Sequence, residues 1–237
     1  MKKHLGGGGL NNFPHYTFAK AFTLAEVLIT LGIIGIVTAM TLPALIANHN
    51  KKVIETRLKS FYSTMNQAIV RAEVDLGDKK YWFMNLSNDC KADEYSETCL
   101  RSFYDIYLKK YLNAPKTFYT VEYNDLISKK GSLWIYFSNG SGVKMGYSGR
   151  DYAFFPVASK MDKDNRTKCK DYFIFALYPN ASEKTQIRAI AFKNKGLEPY
   201  INTDWDGTRE WLVQHKQCSK LIQLNNWEIP EDYPVKL

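Results

Sequence analysis

Two patterns of apolar residues divide the first third of the chain. No charged residue occurs from Val27 to Ala47, and Glu26 carries the only charge between Phe22 and Asn50. The uncharged run, 21 residues, would extend about 31 Å as a helix, enough to cross the hydrocarbon core of a bilayer. Past it the apolar positions thin to one side: Ile54, Leu58, Phe61, Met65, Ala68, Ala72 and Leu76 recur every three or four residues. That spacing marks an amphipathic helix with one face to bury. Lys51, Lys52, Glu55, Lys59, Asn66, Arg71 and Glu73 fall mostly off the stripe. Together the two patterns predict one helix from about Thr23 to Leu76, about 80 Å long. Gly77 is its stop, and Pro43, which lacks a backbone donor, should kink it.

Downstream the periodicity changes. Glu97–Leu112 is amphipathic and helix-like, and after Pro115 the pattern shifts to strands. Thr117–Tyr123 alternates, and Ser132–Phe137 meets Gly142–Tyr147 across Asn139-Gly140, a strong hairpin signal. Asp171–Tyr178 and Gln186–Phe192 are expected to form a second strand pair, and Thr208–Leu224 a last helix. The fold expected is α+β, a long N-terminal helix packed on a small antiparallel sheet. Four regions follow: a leader (1–21), the membrane half of the helix (22–47), its amphipathic half (48–77) and a globular head (78–237).

Composition narrows the class. Hydrophobic content of 45% and aromatic content of 14% are those of a folded protein. The net charge is +8, and Lys2, Lys3 and Lys20 of the leader hold three of those charges without an acid beside them. The remainder reads as a solvated surface of mixed sign rather than a nucleic-acid footprint. Cys90, Cys99, Cys169 and Cys218 all follow the apolar run. An even count beyond a membrane segment implies two disulfides in an oxidising compartment. Three pairings are open; the local one is Cys90–Cys99 with Cys169–Cys218. The cysteines lack C-x-x-C spacing, which argues against zinc.

The leader bears on processing. Residues 1–21 are polar, with Gly6–Gly9 and Pro14, and a small residue, Ala21, precedes the apolar core instead of following it. A secretory signal has the reverse order. Cleavage at Ala21 would leave the membrane segment on the mature protein.

The segment AFTLAEVLITLGIIGIV, with its basic leader, small residue, Phe22, Thr23-Leu24, Glu26 and a proline near the helix end, resembles the N-terminal region of type IV prepilins and type II secretion pseudopilins. The resemblance covers about Lys20 to Leu76. It implies cleavage between Ala21 and Phe22 by a prepilin peptidase, methylation of the new Phe22 amino group by the same class of enzyme, and Glu26 as the assembly carboxylate. Partners would be other pilin or pseudopilin subunits, with the protein held in the inner membrane by a single pass and its head periplasmic or extracellular. One departure is Ala21, where the family usually has glycine. Lysines flank the span on both sides, so charge alone does not orient it.

Glu26 raises the same question from physics alone. An acid in mid-membrane costs roughly 2.5–3.5 kcal/mol on insertion scales. Four residues from the future terminus, it is expected to lack a partner in its own helix. The Phe22 amine of a neighbouring subunit would supply one, and that amine exists only after cleavage. The plain alternatives are a carboxylate reaching the interface and an uncleaved signal anchor on a binding domain that never polymerises. A minor pilin that binds DNA or a substrate at a filament tip keeps the fold and changes the task.

Other motifs carry less. Asn202, Asp204, Asp206 and Gly207 resemble the opening of a calcium loop, but the twelfth position is Val213 rather than Glu. A turn or helix start explains them as well, so calcium is the one cofactor candidate and none is the expectation. There is no nucleophile motif or phosphate loop, and after leader removal only His49 and His215 remain. The chain is expected not to be an enzyme.

Overall fold

A computed structural model describes residues 22–84, 90, 96–114, 116–120, 131–180, 191–202 and 204–237. Its first element, α1, is a single helix, Leu24–Leu76, with Pro43 inside it. By internal packing the chain forms two units, Met1–Ile46 and Ala47–Leu237, and α1 contributes residues to both.

In the second unit, a six-stranded antiparallel sheet runs in sequence order, β1-β2-β3-β4-β5-β6. The strands are β1 (Lys116–Thr120), β2 (Ser132–Tyr136), β3 (Gly142–Gly146), β4 (Asp151–Phe155), β5 (Phe173–Leu177) and β6 (Leu197–Pro199). The β2–β3 hairpin turns at Asn139-Gly140, with Gly140 at φ +79°. β5 pairs with β4 and β6, and of its expected partner Gln186–Phe192 the described residues Ala191 and Phe192 lie in a turn. Residues 186–190 of that stretch lie outside the described residues, as do 121–123 of the expected first strand. The helix expected over Thr208–Leu224 is two, α3 (Arg209–Gln214) and α4 (Cys218–Leu224), broken where Lys216 takes φ +49°. Glu97–Leu112 begins as α2 (Glu97–Phe103), capped by Ser96, and widens into a π-helical turn over Tyr104–Leu108.

One face of the sheet receives α1. Ile54, Leu58, Phe61, Met65, Ala68 and Ala72 are buried in one cluster with Leu133, Ile135, Val143, Met145, Phe154 and Phe175. Phe61 stacks on Phe154 at 4.2 Å between ring centroids and meets Phe175 edge-on at 5.3 Å. Burying each such ring contributes about 1.5–3 kcal/mol. The opposite strand positions, Trp134, Ala153 and Phe155, form a second buried cluster with Met161, and on the same face of β3 the fully buried Lys144 lays its Nζ 4.0 Å over the Trp134 ring.

The stripe differs from its sequence pattern at four positions. Leu76, expected inside, is 46% exposed at the helix end, and Ile69 is buried instead. Glu55, expected off the stripe, is buried, its Oε1 accepting the Ile229 N–H at 2.9 Å. Asn66 is half-buried and serves the sheet edge: its Nδ2 donates to the Leu197 carbonyl at 3.0 Å and its Oδ1 accepts the Leu197 N–H at 2.9 Å. A Cβ at Gly196 would overlap Asn66 Oδ1. Beside it, Tyr62 donates to Glu198 Oε1 at 3.1 Å and packs on Trp227 at 4.6 Å.

The C-terminal tail is tied down repeatedly. Cys169–Cys218 and Cys90–Cys99 are bonded, with Cα atoms 5.5 Å and 5.1 Å apart. Arg209 grips Asp232 through two hydrogen bonds of 2.9 Å and 2.7 Å, and the Tyr233 hydroxyl donates to the Cys169 carbonyl. Gly77, at φ +87°, ends α1, its N–H bonded to the Glu73 carbonyl at 2.9 Å.

Two outcomes follow from this packing. Gly149 sits at φ +92° against the fully buried Phe103 ring, which a Cβ would overlap. Gly149→Ala should therefore lower the stability of the chain by about 2–4 kcal/mol in denaturant unfolding, combining a left-handed residue with overpacking. Burial first, and then the charge of Glu198, push the Tyr62 hydroxyl up from 10.0 to about 12. A phenol that holds its proton more tightly when folded stabilises fully below pH 10 and loses that contribution as pH rises through about 12. The thermal midpoint should fall over that window, and less steeply in Tyr62→Phe.

Candidate assembly and membrane segment

Every residue from Phe22 to Ile46 is exposed. Fourteen large apolar side chains are among them, from Phe22 at 86% to Val27 at 42%. At about 1.5–3 kcal/mol for each such side chain left in water, the penalty reaches tens of kcal/mol, so this stretch requires lipid or other apolar helices. It is long and apolar enough for one membrane span or a signal anchor. Two of its threonines are turned onto the backbone: Thr30 donates to the Val27 carbonyl at 2.9 Å and Thr41 to the Val37 carbonyl at 3.0 Å. Hydroxyls satisfied in this way suit a medium without water. Pro43 cannot donate to the Ala39 carbonyl one turn back.

Glu26 does have partners in its own helix, contrary to expectation. Its Oε2 accepts the Thr23 N–H and the Thr23 hydroxyl, both at 2.8 Å, and the Thr23 Oγ1 accepts the Glu26 N–H at 3.2 Å. This reciprocal arrangement is a capping box, in which a threonine and a glutamate three residues on satisfy free donors of the first turn. The signal was present as Thr23-x-x-Glu26 ahead of an apolar run. The box occupies one carboxylate oxygen, Oε2, and leaves Oε1 outside it. Phe22 precedes the helix, and Ala21 lies outside the described residues.

The calcium candidates resolve into a helix start. The Asp206 Oδ1 accepts the Thr208 N–H at 2.8 Å and the Thr208 hydroxyl at 2.6 Å, and those bonds hold its carboxyl below the usual range. Thr208 then caps α3 by accepting the Trp211 N–H at 3.2 Å. The Asn202 carbonyl accepts the Trp205 N–H at 3.4 Å, and Asp204 is exposed. Among the described residues, no group of three or more His, Cys, Asp and Glu side chains converges on a point where a metal could sit.

A family model described as a family of unknown function (DUF6613) matches residues 44–237. The chain belongs to that family. The DUF6613 match begins just past Pro43, so it takes in the amphipathic part of α1 and the whole sheet. No curated protein and no solved structure matches the chain.

With Asp206 Oδ1 committed to Thr208, calcium at this turn would have to compete with a helix cap. The thermal midpoint of the chain in excess calcium should match that in EDTA; a rise of several degrees on adding calcium would restore the metal reading.

Proposed function

We propose that the chain is a pilin-like subunit. It is made as a precursor, cut between Ala21 and Phe22 by a prepilin peptidase, methylated at Phe22, and polymerised through the apolar part of α1. The product is a type IV pilus or a type II secretion pseudopilus, and the protein's role is structural rather than catalytic. The observation that carries this reading is an uncovered apolar helix with one carboxylate in its first turn, belonging to the same helix whose later residues form the core of a disulfide-bonded head. The carboxylate's charge remains for a neighbour's amine to neutralise, and an unpaired charge buried between helices costs several kcal/mol. Subunits would therefore add in one register.

The capping box supports a second reading, in which Glu26 serves only its own helix and the protein is an anchored periplasmic domain that stays monomeric. Glutamine separates the two, because it can occupy the same capping position without a charge. Under the filament reading, Glu26→Gln and Glu26→Ala both abolish filaments, while the head folds and the chain still enters the membrane. Under the anchor reading, Glu26→Gln behaves as the parent and no filament forms from either. Mass spectrometry of the mature protein should find a methylated Phe22 as its first residue. A protein that still begins at Met1 would overturn the processing step.

A further inference from the structure

In the head, Asn50, Val53 and Ile54 of α1 face a cavity of about 190 Å³ whose other walls are Pro156, Val157, Lys160, Lys170, Asp171 and Leu237. Its character is mixed. Val53, Ile54, Pro156 and Val157 make it apolar, and Val157 is 41% exposed. Lys160 and Lys170 bring two cations to it, and Lys160 forms a loose ion pair with the Asp171 carboxylate at 3.6 Å. Lys170 spends one donor on the Lys236 carbonyl at 3.4 Å. Sequence neighbours of the lining residues add Lys51 and Lys236. The acid next to Ile54, Glu55, accepts the Ile229 N–H through Oε1 and pairs through Oε2 with Lys52 at 3.4 Å.

Position along the chain gives this cavity its meaning. Asn50 follows Ala47, the last residue of the uncharged run, by less than one helical turn, a rise of about 5 Å. If that run spans a bilayer, Asn50 and Val53 stand at the depth of the lipid headgroups. At that depth the available ligand is a phosphodiester carried on an acyl glycerol. Two lysines beside apolar walls match its two parts, phosphate and glycerol-ester stem. Soluble anions have no use for the apolar part.

We propose that the Val53–Val157–Lys160–Lys170 cavity binds the headgroup of an anionic phospholipid. The inference rests on the membrane-anchored part of the reading above and is independent of cleavage or polymerisation. Each lysine near a negatively charged membrane surface is worth roughly a fivefold change in association.

The test uses the full chain in lipid nanodiscs of phosphatidylcholine containing a minor fraction of spin-labelled phosphatidylglycerol, with spin-labelled phosphatidylcholine as reference. The protein should immobilise phosphatidylglycerol preferentially. Lys160→Gln with Lys170→Gln should reduce that preference roughly fivefold per lysine, and Val157→Glu should abolish it. Lys109→Gln with Lys116→Gln, remote in sequence from the cavity, should leave it unchanged. Equal immobilisation of the two lipids overturns the proposal, as does a preference indifferent to Lys160 and Lys170. Loss of the preference on adding millimolar inorganic phosphate at constant ionic strength would reassign the cavity to a soluble anion. A chain that fails to enter the nanodiscs would overturn the membrane premise itself, whereas a failure to form filaments leaves this assay untouched.

Discussion

The burial of one side of α1 against the sheet organises the whole head. Phe61, flat against Phe154 and edge-on to Phe175, sits where the central strands and the helix meet. Its neighbours at helical spacing, Leu58 and Met65, are fully buried. Without this contact the helix would expose a greasy stripe and the sheet a greasy face. Neither element could stand alone in water, since an amphipathic helix draws most of its stability from what it packs upon. The tail, the Cys169–Cys218 bond and the Glu55–Ile229 contact then fasten the chain end over the same helix.

The helix therefore meets two environments within one element. Up to Ile46 it is apolar all round and uncovered, and from Ile54 it is apolar on one side and covered. Apart from the carbonyl that Pro43 leaves without its usual donor, the interior of a helix satisfies its own backbone in either medium, which is why one secondary structure can serve both. What changes between the two is only the distribution of side chains.

Much of this was legible in the sequence, and the failures have physical reasons. The long helix declared itself through its two periodicities and Gly77, and the β2–β3 hairpin through Asn139-Gly140. β4 did not, because Tyr152, Ala153, Phe154 and Phe155 are buried on both faces and so show no alternation. β6 is three residues long, too short for any period. Glu55 and Asn66 are polar and so match solvent-facing positions in the sequence, yet each has a backbone partner from a distant part of the chain, which only the tertiary fold reveals. At the candidate assembly site, the isolated charge of Glu26 is conspicuous in the sequence, while Thr23 three residues earlier gains its meaning from the cap it forms. The aspartates near Asp206 matched a ligand pattern in composition, and a helix cap accounts for them.

The Asn66 amide has a consequence for how copies of the protein can associate. It takes up both the N–H and the C=O that Leu197 turns away from β5. Two residues on, at the next position facing the same way, Pro199 has no N–H to offer. This margin of the sheet therefore presents no open row of donors to an extended peptide, and strand-by-strand stacking of heads is blocked there. Whatever else meets the protein's surface, the route toward cross-β aggregation is shut along this border.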